Sequence, residues 1–224
     1  MSTNHPTRQG KACRAAIRLG LIAGFGVLAS TGCASKLLDS SSSSYVIVDA
    51  LQAASGAAPT AFGGTLASDV ITNVKSSTGA TGATGTVPTV FEDLGQVTLS
   101  LALKDPGTAA SPTSPTTTNF ITITRYHVDF VRADGRNAPG VDVPFSFDGG
   151  LTVTVGSSPA TVAFTLVRSQ AKQEAPLQAL VNGGGAITIS TIATVTFYGA
   201  DQTGRAVTAI AQISVTFSDW GDPS

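Results

Sequence analysis

From Gln96 to Lys104 the chain alternates without a break: Val97, Leu99, Leu101 and Leu103 are apolar, and Thr98, Ser100, Ala102 and Lys104 between them are polar or small. A period of two puts these sets on opposite faces of an extended strand, and an apolar face needs another layer to cover it. Leu99 and Leu101 are therefore expected in a core, with Thr98 and Ser100 in solvent. Other short β-branched runs occupy residues 44–51, 151–155 and 161–167, and residues 65–74 form a weaker apolar stretch. Residues 56–64, the Gly-Ala-Thr iteration at 76–85 and the Pro-, Ser- and Thr-rich residues 105–118 read as loops. Only residues 169–180 favour helix, and Pro176 interrupts them.

Residues 120–132 change phase. Ile121 and Ile123 are apolar at odd positions, but Tyr126, Val128 and Phe130 at even ones. One extra residue near Thr124 or Arg125 reconciles the halves, which predicts a β-bulge or a change of sheet there. Residues 133–140 are a dense turn signal, after which Val143, Phe145 and Phe147 alternate up to an expected turn at Asp148-Gly149-Gly150. Residues 186–198 and 205–217 flank the turn 199–204 and predict an antiparallel hairpin. Seven to nine short strands without alternating helices point to an all-β fold, a two-sheet antiparallel β-sandwich.

The run Thr194-Val195-Thr196-Phe197-Tyr198-Gly199-Ala200-Asp201-Gln202-Thr203-Gly204-Arg205 resembles the last two strands of bacterial immunoglobulin-like and fibronectin type III-like modules. The likeness covers about thirty residues and rests on hairpin chemistry that many sandwiches share. It implies an immunoglobulin-like sandwich. The Cys and Trp pair of antibody domains is missing, because no Cys follows Cys33 and the one Trp, Trp220, lies near the C-terminus.

At the N-terminus, Arg8, Lys11, Arg14 and Arg18 stand without any acidic residue, and residues 19–28 are then uninterruptedly apolar. A membrane-spanning helix needs about twenty such residues, so this shorter run reads as the core of a signal peptide. Ala29-Ser30-Thr31-Gly32-Cys33 resembles the lipobox of bacterial lipoproteins, with Ser30 where that family usually carries Leu. The resemblance implies a signal peptide over residues 1–32 and a lipid-attachment site at Cys33. A lipidated N-terminus and Ser-rich tether over 33–44 would precede a single domain over 45–224. By the same resemblance, Ala34 after the cysteine implies the outer membrane of the cell envelope.

Cleavage before Cys33 removes four of the thirteen Lys and Arg and none of the fourteen Asp and Glu, leaving nine against fourteen and a formal net charge of −5. A mildly acidic surface without a basic stripe argues against nucleic acid as a partner. With Cys13 in the signal segment, the remaining chain has no second cysteine for a disulfide and, besides Cys33, only His127 as a zinc-type ligand. No metal site, cofactor or catalytic residue is expected. His127 and Asp129 share a strand face at nearly 7 Å, about twice the 3.3 Å rise, too far apart for direct proton transfer. Asp134, Asp142, Asp148 and Asp201 sit at turn signals but match no calcium loop. Tyr45, Tyr126, Tyr198 and Trp220 are candidates for a carbohydrate or protein contact, or else caps on the core edge. The reading is a non-catalytic structural or protein-interaction module, held to the membrane by its lipid and docking another envelope protein. The alternative is a ligand- or carbohydrate-binding module.

Overall fold

A computed structural model describes residues 42–77 and 84–221; the expected signal peptide, Cys33 and most of the expected tether lie outside them. The chain is all-β, in several sheets. In order, the strands are β1 (Ser44–Ala54), β2 (Thr65–Asp69), β3 (Thr72–Ser77), β4 (Thr84–Thr89), β5 (Asp93–Leu103), β6 (Gly107–Thr108) and β7 (Ser111–Pro112). Then follow β8 (Ile121–Val131), β9 (Phe147–Val155), β10 (Ala160–Val167), the one-turn helix α1 (Ser169–Lys172), β11 (Ile189–Asp201) and β12 (Ala206–Ser218). A three-stranded sheet has the order β1-β5-β10 and a five-stranded sheet the order β2-β12-β11-β8-β9, while β3-β4 and β6-β7 form separate two-stranded ribbons.

One apolar core takes side chains from both larger sheets. Phe164 of β10 lies 4.9 Å from the ring of Tyr126 on β8 and 5.6 Å from that of Phe197 on β11, centroid to centroid. Val97 and Leu99 of β5 are fully buried. Leu101 is only half-buried, and so are Thr98 and Ser100, contrary to the sequence reading. The pairing explains this: β10 reaches along β5 only as far as Ala160 opposite Leu99, so beyond that point β5 has β1 alone as a neighbour. On the other face Thr98 shares a hydrogen bond with Thr161 at 3.0 Å and Ser100 donates to Asp49.

The bulge predicted near Thr124 is present. Against β9 the register of β8 slips between Ile123 and Arg125, and against β11 Tyr198 faces Arg125 while Gly199 faces Ile123. Against β11 Thr124 is thus the extra residue, while β9 sets two residues, Leu151 and Thr152, opposite it; the insertion lets Ile121 and Ile123 point into the same core as Tyr126, Val128 and Phe130. Gly199 accommodates the kink, because a Cβ there would sit 2.3 Å from the carbonyl oxygen of Thr122. The terminal hairpin of β11 and β12 also forms, paired from Ile189 opposite Phe217 to Ala200 opposite Ala206.

Three expectations need correction. Pairing is not wholly antiparallel, since β2 runs parallel to β12 at the sheet edge. After β1 the chain doubles back, with Ala53 and Gly63 exchanging backbone hydrogen bonds at 2.8 Å, and it then turns again into β2. Asp148-Gly149-Gly150 is no turn but lies inside β9, where Gly149 faces Tyr126. A Cβ on Gly149 would come within 2.4 Å of three atoms of that side chain, so the glycine makes room for an aromatic ring. The serine run also reaches into the fold: Ser42 and Ser44 are buried, and Ser44 Oγ donates to the Asn119 carbonyl at 2.6 Å.

The register gives the two ends of the larger sheets different characters. The entry end holds Ser42–Ser44, the turn after β11 and the 3-10 turn Thr117–Asn119. At the far end lie the start of β5, the end of β12 and the segments 132–146 and 168–188 that lead into β9 and β11.

Candidate functional site

The bulge shapes the outer face of the five-stranded sheet. Thr124 shifts the phase of β8, so Arg125 and His127 turn outward beside Tyr198 and Thr196 of β11. The Arg125 guanidinium carbon lies 4.3 Å from the centroid of the Tyr198 ring, a cation–π stack. Arg125 and Tyr198 border an open depression of about 550 Å3, whose other walls include Thr122, Thr124 and Gln202. Gln202 Nε2 donates to Thr122 Oγ1 at 3.4 Å, and Gly199 leaves part of the floor as bare backbone.

His127 faces Asp148 across the sheet, with Nδ1 3.4 Å from Oδ1, and Arg125 Nη1 approaches the same oxygen at 3.5 Å. Asp129, its neighbour on the same strand, lies instead opposite Thr194. The residues considered for proton transfer are therefore not brought together. Both Arg125 and Asp148 are largely exposed, so this cluster contributes little to stability.

The four turn aspartates serve local structure at separate places. Asp134 is gripped by Arg132 and Arg136, whose guanidinium donors hold its carboxyl well below the usual carboxylate range. Asp142 accepts from the Ala138 amide at 3.2 Å, and Asp148 belongs to the cluster just described. Asp201, at the entry end, is buried; burial alone would raise its pKa, but donors from Thr203, Arg205 and Ser42 lower it to about 2. Among the described residues, no group of three or more His, Cys, Asp or Glu could hold a metal ion, and no helix is long and apolar enough to cross a membrane.

The candidate aromatics also part company. Tyr126 is a core residue, tilted against Phe164 and edge-on to Phe147, and burial raises its pKa. Tyr45 is exposed on β1, Tyr198 is half-buried beside Arg125, and Trp220 is half-buried past the end of β12, its backbone N–H donating to Asp69 at 3.0 Å. Of these, only Tyr198 borders the depression.

Two features went unseen in the sequence. The first is a buried ion pair at the far end: Lys172 Nζ of α1 donates to Asp93 Oδ1 at 2.8 Å, with both side chains essentially inaccessible. The Gly56 amide donates to the same oxygen at 2.9 Å and Ser68 Oγ to Oδ2 at 2.6 Å. Asp93 thus ties together the start of β5, the end of α1, β2 and the loop after β1. The second is the placement of exposed apolar side chains. Val141 (71% exposed), Ile187 (56%), Phe145 (50%) and Val131 all lie in or beside the loops of the far end. Elsewhere among the described residues, Tyr45 and Ile47 on β1, Ile210 (62%) on β12, Ile192 on β11, and Val74 and Val87 on the β3-β4 ribbon are exposed as well.

The sheets and their shared core define an all-β protein with several sheets and an open depression on the wider one. Comparison with family models, with curated proteins and with solved structures finds no match to this chain.

Proposed function

We propose that this chain is a lipid-anchored module of the bacterial cell envelope. In this reading Cys33 carries the lipid after removal of residues 1–32, and the larger sheets form an immunoglobulin-like β-sandwich that presents its far end to another envelope protein. The observation that supports it best is the polarity of the two ends. The tether joins the fold at Ser42–Ser44, whereas Val141, Phe145, Ile187 and Val131 stand exposed at the opposite end. Val141 and Phe145 share one far-end loop and Ile187 stands in the other, and exposed apolar groups on loops at one end favour a protein contact over water. The two larger sheets sharing a core, with the closing hairpin of β11 and β12, support the sandwich. The outer membrane is the site of anchoring favoured by Ala34.

The module acts without catalysis. His127 and Asp148 meet on an open sheet face, and Asp134, Asp142 and Asp201 are engaged by local donors. Cys33→Ala tests the anchor. The wild-type chain, expressed in a lipoprotein-processing bacterium, should partition into the detergent phase and take up labelled fatty acid, whereas the variant should stay unprocessed or turn soluble. A single acyl chain gives marginal binding, so stable attachment requires more than one. Unchanged partitioning and labelling of Cys33→Ala would defeat the proposal.

A further inference from the structure

We propose that the depression beside the β8 bulge binds a neutral saccharide chain through Arg125, Tyr198 and Gln202, a role independent of how the protein is anchored. Three observations carry this. The first is shape. Around the kink where Thr124 is inserted, β8 and β11 border a hollow of about 550 Å3 in the face of a sheet, within the range of about 300–1,000 Å3 common for small-ligand sites. It is open to solvent, which suits a chain lying across the surface better than an enclosed metabolite.

The second is chemistry. The stack of Arg125 on Tyr198 presents a flat amphipathic edge, and apolar C–H faces of sugar rings pack on such surfaces. Thr122, Thr124 and Gln202 add hydroxyl and amide groups that both donate and accept, matching the dual character of sugar hydroxyls. Arg125 has donors to spare, since its ion-pair contact with Asp148 is as long as 3.5 Å. The third is charge. Arg125, the one Lys or Arg among the residues lining the hollow, is offset by Asp148, so no excess positive charge is present to select an anion. A neutral glycan fits and an acidic one is disfavoured.

Calorimetric titration of the full chain, in a detergent without a sugar headgroup, tests the proposal with cellotetraose, maltotetraose, N-acetylchitotriose and, as the acidic comparator, trigalacturonate. At least one neutral oligosaccharide should bind saturably and more tightly than trigalacturonate. Tyr198→Ala should weaken that binding about tenfold, the factor expected on losing one aromatic contact. Gln202→Ala, at an exposed turn position that tolerates truncation, should weaken it as well, and Tyr45→Ala on the other sheet should leave it unchanged. Thermal melts establish that each variant is folded; if Tyr198→Ala fails to fold, Gln202→Ala decides. The proposal is overturned if no neutral oligosaccharide binds, if trigalacturonate binds more tightly, if binding survives both Tyr198→Ala and Gln202→Ala, or if Tyr45→Ala abolishes it.

Discussion

Leu99→Asp should abolish the folded state, while Leu101→Asp should leave a destabilised but folded protein. Leu99 is fully buried, paired with Val48 on one side and Ala160 on the other. Its removal from the core forfeits roughly 1.5–3 kcal/mol of apolar transfer, and an unpaired carboxylate in that position adds a larger desolvation cost. Against a total stability of about 5–15 kcal/mol, the sum is decisive. Leu101 lies past the reach of β10 and is half-exposed, so its aspartate can find water. Thr98→Asp should cost least, because only the cross-strand contact with Thr161 is lost. Ser100→Asp should cost more than Thr98→Asp, since it sets a carboxylate against Asp49. Thermal or urea melts of the four variants give the order, and a Leu101→Asp as damaging as Leu99→Asp would contradict the assigned pairing of β10.

Breaking the ion pair from one side is the second large effect. Lys172→Met leaves the Asp93 carboxylate buried with only the Gly56 amide and Ser68 hydroxyl as donors, and loss of one partner of a buried pair costs about 3–5 kcal/mol. Asp93→Asn combined with Lys172→Met removes both charges and keeps an acceptor for Ser68 or Gly56. The double variant should therefore recover much of the loss. Urea denaturation of wild type, both single variants and the double variant forms a complete cycle. A double variant no more stable than Lys172→Met would mean that the pair is held for some reason other than mutual charge compensation.

How much of this was legible in the sequence depends on how local each feature is. The bulge at Thr124 could be read because the core demands apolar residues on one face, and the phase change from Ile123 to Tyr126 records the residue inserted relative to β11 directly. The hairpin of β11 and β12 was legible for a similar reason, a turn flanked by matched alternation. Asp148-Gly149-Gly150 misled because turn chemistry and ring clearance both select glycine; only the position of Tyr126 on the neighbouring strand separates them. Leu101 looks identical to Leu99 in the pattern, and its half-burial follows from where β10 stops. The Lys172–Asp93 pair spans 79 positions, and no local signal marks a lysine or an aspartate for burial. The depression was equally hidden, because Arg125, Tyr198 and Gln202 meet only through the register of β8 against β11, although Tyr198 itself was among the aromatic candidates.

The proposed anchoring at Cys33 would put the lipid on the side of Ser42–Ser44, opposite the loops that carry Val141, Phe145 and Ile187. From Cys33 to Ser42 there are eight intervening residues, which reach roughly 28 Å at about 3.5 Å each. A strand as long as β11, thirteen residues, spans about 40 Å. Energy transfer to a lipid-borne acceptor measures the difference: the lipidated chain in vesicles would carry one dye, on Ala206→Cys near the entry end or on Val141→Cys in the far-end loop. Clearly stronger transfer from position 206 than from position 141 is the predicted result, and equal or stronger transfer from position 141 would contradict the account.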